Sequence, residues 1–215
     1  MTRPHQIPSQ MTGNGKTFLL SALIFIWLAA TLAGLWWFQQ QNIRPFLTAD
    51  DDSRFWQASQ AAPLLEALYP NLPGENGSVT LLHFWNPDCL CNQVSQRHFD
   101  LLVHSFTSEQ LRVVVMAAPT VSDQQLQRFR ELNGERLQAI RAPQDLNIPA
   151  SPGLALYSAE GKLGYFGAYG FGALCTVTND DFFPNIVRSL ASDGYGPFVN
   201  VAGSGCFCPW PAINK

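Results

Sequence analysis

The chain has 215 residues, of which 47% are hydrophobic and 13% are charged, and this length suits one globular domain with an additional segment. All sixteen acidic residues lie from Asp50 onward, and ten of the thirteen basic residues follow Arg44, so residues 45–215 carry a formal charge of minus six. Binding to a phosphate backbone needs clustered Lys and Arg. The acidic balance therefore argues against nucleic acid as a partner.

A long apolar segment near the N-terminus predicts a membrane anchor. Residues 18–38 are almost continuously apolar, and residues 17–43 contain no charged side chain. An α-helix needs about 20 such residues to cross a bilayer. We therefore predict a transmembrane anchor at residues 17–38 that lies in the lipid bilayer.

The charges on either side of this anchor predict its orientation. Arg3 and Lys16 precede it, and an acidic run at 50–52 follows it, and the flank with more basic residues normally stays in the cytoplasm. The sequence thus predicts a single-pass protein of a bacterial inner membrane, with residues 1–16 in the cytoplasm and the C-terminal domain in the periplasm. A cleaved signal peptide is the alternative, but its apolar region is normally shorter and ends in small residues, whereas this segment ends in aromatic residues at 36–38.

The rest of the chain predicts an α/β domain. Residues 39–78 are predicted to form a linker and a helix before the core, at about 55–68. The order that follows is strand, helix, strand, helix, strand, strand, helix, at residues 79–85, 89–106, 111–116, 122–132, 154–157, 163–166 and 181–191. This order predicts a mixed sheet flanked by helices. The Gly- and Pro-rich segment 192–215 is predicted to be a tail without regular structure.

The cysteines suggest redox chemistry. There are five, and they form two Cys-x-Cys pairs, Cys89 with Cys91 and Cys206 with Cys208, together with a single Cys175. In an oxidising compartment an odd count implies a free or exchanging thiol. The first pair lies where a predicted strand ends and a helix begins, and a helix N-terminus stabilises a thiolate. The thiolate is the nucleophile of disulfide exchange.

The residues around this first pair resemble the thioredoxin superfamily. A strand that ends in Phe84 and Trp85 leads through a short turn to the cysteine motif, and Pro152 stands where the family has a cis-proline that faces the cysteines. The resemblance covers about residues 79–191. It is closest to membrane-anchored bacterial thioredoxin-like proteins with a Phe-Trp-x-Pro-x-Cys-x-Cys signature. It implies a thioredoxin-like domain with Cys89 and Cys91 as the catalytic residues, Pro152 in a substrate groove, and thiols or disulfides of cell-envelope proteins as partners.

Two departures from the thioredoxin pattern shape the prediction. Thioredoxins have Cys-x-x-Cys, whereas helix residues two apart point to different sides. A Cys89–Cys91 disulfide thus requires one cysteine outside the helix, is expected to be strained, and would favour oxidation or isomerisation of partners; the alternative is that Cys91 bonds elsewhere. His83 stands where thioredoxins often bury an acid, so it is a candidate proton shuttle or else a histidine hydrogen-bonded in the sheet. His98 is expected on a helix surface.

The remaining cysteines leave two alternatives open. In one, the tail folds back and Cys206 or Cys208 acts as a resolving cysteine that exchanges with Cys89 or Cys91. In the other, a static disulfide, for example between Cys175 and a tail cysteine, holds the C-terminus in place.

The sequence therefore predicts a membrane-tethered periplasmic thiol–disulfide oxidoreductase that acts by thiolate exchange and needs no cofactor or resident metal. One alternative is a site for zinc, Cu(I) or an iron–sulfur cluster, because the cysteine pairs with Cys175 offer enough thiolates. Their spacing is not that of the usual Cys-x2-Cys knuckle, and an oxidising compartment favours disulfides. A second alternative is a redox-inactive thioredoxin-fold domain that binds a peptide or serves as a scaffold.

Overall fold

The structure is a computed structural model that describes residues 13–74, 77–134, 136–172, 180–192 and 194–211. It consists of two units, Met1–Gln41 and Asn42–Lys215.

The first unit is dominated by one long helix, α1 (Gly13–Asn42). Its segment Gly15–Phe38 has a hydropathy of 2.3 and is not buried against other parts of the protein. A helix that is apolar all round needs an apolar environment on every side. Within the described residues this is the one helix long and apolar enough to cross a membrane, which suits either an anchor or a signal sequence.

The second unit contains the remaining elements. Its described helices are α2 (Ala58–Glu66), α3 (Cys91–Ser105), α4 (Asp123–Asn133) and α5 (Phe182–Ser192). Its described strands are β1 (Ile43–Pro45), β2 (Val79–Trp85), β3 (Leu111–Ala117), β4 (Leu137–Arg141), β5 (Ala150–Ser151), β6 (Gly153–Tyr157), β7 (Leu163–Gly167), β8 (Phe198–Asn200), β9 (Ser204–Cys206) and β10 (Cys208–Pro209).

A six-stranded mixed sheet forms the centre of this unit, in the order β4-β3-β2-β6-β7-β8. Strand β2 pairs in parallel with β3 and antiparallel with β6, and β6 and β7 form an antiparallel hairpin. The apolar side chains of β2 and β3 are almost completely buried except for Trp85, which is partly buried, as expected for strands covered on both faces. This order, with helix α3 between the parallel strands β2 and β3, is the thioredoxin-like mixed sheet that the sequence predicted.

The two faces of the sheet meet different partners near the end of β2. Neighbouring side chains of a strand point to opposite faces. His83 packs on Phe99 of α3, whereas Phe84 packs on Phe166 and Trp210. The C-terminal segment therefore covers the face opposite α3.

The C-terminal tail was predicted to lack regular structure, and this prediction is wrong. The three short strands of the tail are paired, β8 with β7, β9 with β1, and β10 with β5. Phe207 and Trp210 are buried in the core, so apolar burial holds the segment against the domain. Edge strand β4 was also missed by the sequence prediction.

Candidate disulfide centre

A strand, a turn and a helix position the first cysteine pair. After β2, the Asn86 side chain accepts a hydrogen bond from the Asp88 amide at 3.1 Å, and the Asn86 carbonyl accepts one from the Cys89 amide at 3.0 Å. Helix α3 begins at Cys91 with Leu90 as its N-cap. Cys89 therefore lies outside the helix, as expected, while Cys91 occupies the first helical position.

Both cysteines of this pair are bonded to the C-terminal segment. Cys89 forms a disulfide with Cys208, with the Cα atoms 5.9 Å apart, and Cys91 forms one with Cys206, with the Cα atoms 5.3 Å apart. Both Cα separations lie in the usual range for disulfides. The expected strained Cys89–Cys91 disulfide is thus wrong for this structure, and the alternative in which Cys91 bonds elsewhere is correct. The physical reason is the tail, which brings one sulfur to each member of the first pair.

Backbone pairing sets the position of the tail at the cysteines. In β10, Cys208 lies opposite Ser151, and Pro209 lies opposite Ala150 of β5. In β9, Cys206 lies opposite Ile43 of β1. The tail thus crosses the site as two short antiparallel pairings on either side of Phe207.

Aromatic packing on both sides of the cysteines holds this segment down. The Phe207 ring lies 5.1 Å from the Phe46 ring and 6.1 Å from the Phe171 ring, both nearly edge to face. The Trp210 ring lies 6.0 Å from the Phe84 ring. The Cys-Phe-Cys-Pro-Trp sequence of residues 206–210 therefore alternates anchoring aromatics with bonded sulfurs, and this alternation was the signal in the sequence that the tail is ordered.

Pro152 lies directly beside the point where the tail crosses the site. The Ser151–Pro152 peptide bond is cis, which confirms the expected cis-proline. The Ser151 carbonyl oxygen lies 3.6 Å from Cys89 Sγ, and the Ser151 hydroxyl donates to the Phe84 carbonyl at 3.3 Å. Ser151 was missed by sequence reasoning, although it links β2, the cis-proline and the sulfur. The role of Pro152 in a substrate groove stays a prediction.

The four bonded cysteines form a compact sulfur cluster. Cys89, Cys91 and Cys206 are buried, whereas Cys208 is partly exposed. The Sγ atoms of Cys89, Cys91 and Cys208 all lie within 4.8 Å of one another. Cys91 Sγ, which belongs to the second disulfide, is thus close to both sulfurs of the first disulfide, Cys89 Sγ and Cys208 Sγ. Because both tail cysteines are bonded to the first pair, the predicted static disulfide between Cys175 and a tail cysteine is wrong for this structure. Cys175 itself lies outside the described residues, and its role as a resolving cysteine stays a prediction.

The two histidines named from the sequence are both buried. His83 Nδ1 shares a hydrogen bond of 2.9 Å with the Tyr169 hydroxyl, and desolvation by burial lowers the pKa of His83 to about 3, partly offset by a hydrogen bond to the Gly153 backbone. A histidine that stays neutral near pH 7 and is satisfied in this way favours the structural interpretation over the proton shuttle. His98, expected on the surface, is 1% exposed, because α3 turns it towards the protein.

Comparisons with solved structures find other proteins with low sequence identity. A hypothetical protein of Sinorhizobium meliloti is 15% identical, with a TM-score of 0.49 over 63% of this chain and 80% of that chain. A secreted disulfide oxidoreductase of Mycobacterium tuberculosis is 18% identical, with a TM-score of 0.39 over 53% of this chain and 83% of that chain. The exposed lipoprotein thioredoxin of Streptococcus pneumoniae is 17% identical, with a TM-score of 0.40 over 53% of this chain and 86% of that chain.

The sequence itself matches one family model. No protein with a curated description matches the chain. Residues 56–210 match the model of a domain of unknown function, DUF6436, and these residues include both disulfides. Because the match covers most of the chain and the whole disulfide centre, the chain belongs to the DUF6436 family.

Proposed function

We propose that this protein is a membrane-tethered periplasmic thiol–disulfide oxidoreductase in which the Cys89–Cys208 disulfide is the bond exchanged with partner proteins. One observation carries the proposal. Cys208 is bonded to Cys89 and also pairs with Ser151, next to cis-Pro152. The tail therefore has the arrangement of an extended peptide that has formed a disulfide with a thiol at the start of a helix.

The first exchange starts at the more accessible residue of this disulfide. Cys208 is partly exposed and Cys89 is 2% exposed, so a partner thiolate attacks Cys208 Sγ. The bond to Cys89 breaks, Cys89 leaves as a thiolate, and a mixed disulfide forms between the partner and Cys208. The helix dipole at the start of α3 favours the negative charge on the leaving sulfur, and a better leaving thiolate speeds exchange.

A second partner thiolate completes the reaction. It attacks the partner's own sulfur in the mixed disulfide, so that a partner disulfide forms and Cys208 leaves as a thiolate. The partner loses two electrons and two protons, and Cys89 and Cys208 gain them as two thiols. The reverse sequence reduces a partner disulfide, so the same centre serves either direction of electron flow.

The second disulfide acts as a reserve of oxidising equivalents. Cys91 Sγ lies within 4.8 Å of both Cys89 Sγ and Cys208 Sγ, so exchange between the two disulfides needs only a small rearrangement of side chains. In the first step a thiolate on Cys89 attacks Cys91 Sγ, a Cys89–Cys91 bond forms, and Cys206 leaves as a thiolate. The Cys208 thiolate then attacks Cys89 Sγ, so that Cys89–Cys208 re-forms and Cys91 leaves as a thiolate. This is the relay expected from the sequence, with Cys206 now assigned as the terminal sulfur.

After a partner thiolate has opened Cys89–Cys208, the residues from Cys208 onward must leave the groove for a partner segment to bind in their place. Cys91–Cys206 still holds the preceding residues. The tail is held by the β5 pairing and by the burial of Phe207 and Trp210. An incoming extended segment would regain the same backbone hydrogen bonds with Ser151, which is the usual way in which a peptide adds to an exposed strand. We therefore assign the groove beside Pro152 to extended, cysteine-containing segments of cell-envelope proteins.

The location in the inner membrane rests on the first unit. Helix α1 contains a 24-residue apolar segment, Gly15–Phe38, Lys16 lies at its N-terminal end, and the acidic run at 50–52 follows it. By the positive-inside rule these charges support the proposed orientation, in which the disulfide domain lies in the periplasm. An oxidising compartment also suits two disulfides.

The exchange is tested with the full chain in detergent and a reduced synthetic peptide that contains two cysteines. The oxidised wild type is expected to oxidise two peptide equivalents per chain, one for each disulfide. The Cys91→Ala/Cys206→Ala variant keeps the first disulfide and is expected to oxidise one equivalent at an unchanged initial rate. The Cys89→Ala/Cys208→Ala variant keeps only the more buried disulfide, and we expect its rate to fall by about tenfold or more, because exchange depends on access.

The matched control is Cys175→Ala, which keeps all four bonded cysteines. The proposed mechanism does not use Cys175 as a resolving cysteine, so this variant is expected to keep both the rate and the yield of two equivalents. A wild-type rate in Cys89→Ala/Cys208→Ala would refute Cys89–Cys208 as the exchanged bond. If the wild type oxidised no peptide at all, the redox-inactive binding domain would replace the oxidoreductase.

A further inference from the structure

The sulfur atoms of the four bonded cysteines lie closer together than two separate structural disulfides require. Three of the sulfurs, those of Cys89, Cys91 and Cys208, lie within 4.8 Å of one another, and the fourth, Cys206 Sγ, is bonded to Cys91 Sγ at 2.09 Å. These are four sulfurs from two Cys-x-Cys segments, one at the start of α3 and one in the tail. The same set of sulfurs is the ligand set of a tetrahedral thiolate site.

The distances allow such a site after reduction. In a tetrahedral thiolate site the metal–sulfur distance is about 2.3 Å, which places the sulfurs about 3.8 Å apart. After reduction the sulfurs of each bonded pair must separate. The Sγ atoms of Cys89, Cys91 and Cys208, now within 4.8 Å of one another, must approach by about 1 Å or less where they lie further apart than about 3.8 Å. Rotations of the cysteine side chains supply both changes while the β5–β10 and β1–β9 pairings hold the backbone.

The surroundings suit a thiolate site with a soft cation. Cys89, Cys91 and Cys206 are each less than 5% exposed and form a cluster of their own, with Val94 packed against it. Asp88, which precedes Cys89 in the chain, is exposed to solvent and is not buried with the cysteine cluster. The cluster lies at the start of α3, where the helix dipole favours net negative charge. Thiolates select d10 cations such as Zn²⁺ and Cu⁺ over hard cations, which prefer oxygen.

We propose that the fully reduced protein binds one d10 cation, Zn²⁺ or Cu⁺, through Cys89, Cys91, Cys206 and Cys208, so that these cysteines alternate between two disulfides and one metal–thiolate site. Two equivalents of a dithiol reductant supply four electrons and four protons, which convert the two disulfides to four thiols and leave two disulfides on the reductant. The cation then displaces the thiol protons. Two equivalents of a disulfide oxidant then accept four electrons and leave as four thiolates, so that the two protein disulfides re-form and the cation is released.

This site is independent of the exchange reaction, because metal binding requires the four thiols but no partner protein. It also differs from the metal site considered from the sequence, which included Cys175. Loss of metal binding would leave the proposed oxidoreductase intact, and loss of peptide oxidation would leave the metal site intact.

The test uses the full chain in detergent, reduced without oxygen by a phosphine, which supplies no thiol ligand. Zn²⁺ and Cu⁺ are added separately, excess is removed by desalting, and bound metal is measured by elemental mass spectrometry. Co²⁺ in place of Zn²⁺ gives an independent readout, since tetrahedral thiolate coordination produces characteristic charge-transfer and ligand-field absorption. We expect one cation per reduced chain, none per oxidised chain, and release on reoxidation.

Variants identify the ligands. Cys89→Ala/Cys208→Ala and Cys91→Ala/Cys206→Ala each remove two ligands, so affinity is expected to fall by more than the roughly 10- to 100-fold that follows loss of an outer-shell partner. Each keeps one disulfide when oxidised, so its fold is checked by circular dichroism in that state, and the single variant Cys208→Ala provides a milder test. Cys175→Ala is the matched control and is expected to bind one cation.

The outcomes separate cleanly. Binding of Zn²⁺ alone, of Cu⁺ alone, or of both at one per chain supports the site and identifies the cation. Absence of stoichiometric binding of either cation to the reduced wild type overturns it, as does undiminished binding by Cys89→Ala/Cys208→Ala or loss of binding in Cys175→Ala.

Discussion

The two disulfides close almost the same loop, which leads to an unusual pattern of stability loss. Cys89–Cys208 spans 119 residues and Cys91–Cys206 spans 115. Either one alone restricts the unfolded chain by about 5 kcal/mol at 25 °C in the loop-entropy treatment. Once one has formed, the other closes a ring of only about six residues, which contributes about 2 kcal/mol.

Removal of either disulfide should thus cost much less than removal of both. We expect Cys89→Ala/Cys208→Ala and Cys91→Ala/Cys206→Ala each to lower the free energy of unfolding by about 2 kcal/mol, and the quadruple variant to lower it by about 7 kcal/mol. The measurement is equilibrium unfolding of the oxidised full chain in guanidinium chloride, followed by tryptophan fluorescence and circular dichroism. A loss of about 5 kcal/mol for each pair alone would refute the nested loops. A loss of only about 3 kcal/mol for the quadruple variant would instead indicate the local pairs Cys89–Cys91 and Cys206–Cys208, each of which closes a ring of about three residues.

Two further predictions concern the tail and the buried histidine. Trp210→Ala removes an aromatic side chain that is 4% exposed, so it should lower the free energy of unfolding by about 3–5 kcal/mol and speed the reduction of Cys89–Cys208 by a small dithiol. The control is Trp56→Ala, at a residue that is 49% exposed. Equal effects of the two variants would contradict the assigned packing. Because burial lowers the pKa of His83 from 6.5 to about 3, the unfolded chain takes up this proton first, so the free energy of unfolding is highest above pH 6.5 and falls towards pH 3 by up to about 1.4 kcal/mol per pH unit. His83→Gln should remove this contribution in denaturant titrations at several pH values, and an unchanged slope would show that other groups cause it.

Much of the central sheet could be predicted from the sequence. The apolar run at Val79–Trp85 became β2 with the predicted bounds, and the hairpin strands β6 and β7 lie where expected. These strands are long, apolar and flanked by turn residues, so local pattern suffices. The cis-proline was found because its position relative to the cysteine motif is a family feature.

The tail could not be predicted because its order depends on contacts distant in the sequence. Strands β8, β9 and β10 contain two or three residues each, too few for an alternating pattern to be read. Their partners are β7, β1 and β5. The Gly- and Pro-rich composition of the tail indicates loops. The prediction did not take into account Phe207 and Trp210, which the structure shows to be buried.

The disulfide connectivity was out of reach for a related reason. Cysteine spacing does not determine which cysteines pair. The deciding fact is the register between β10 and β5, which places Cys208 opposite Ser151. The expectation of a strained Cys89–Cys91 disulfide followed from helix geometry. It considered only the first cysteine pair and left out the tail cysteines, to which both members of that pair are bonded.

The central claim is that Cys89–Cys208 is the disulfide that partners open first, and stepwise labelling tests it most directly. The oxidised full chain is treated briefly with a limiting dithiol, new thiols are alkylated with a light reagent, and the remaining cysteines are alkylated with a heavy reagent after complete reduction. Mass spectrometry then reports which cysteines opened together. The account predicts that Cys89 and Cys208 carry the light label in equal amounts before Cys91 and Cys206 do. Light label appearing first and equally on Cys89 and Cys91, or first on Cys91 and Cys206, would contradict it.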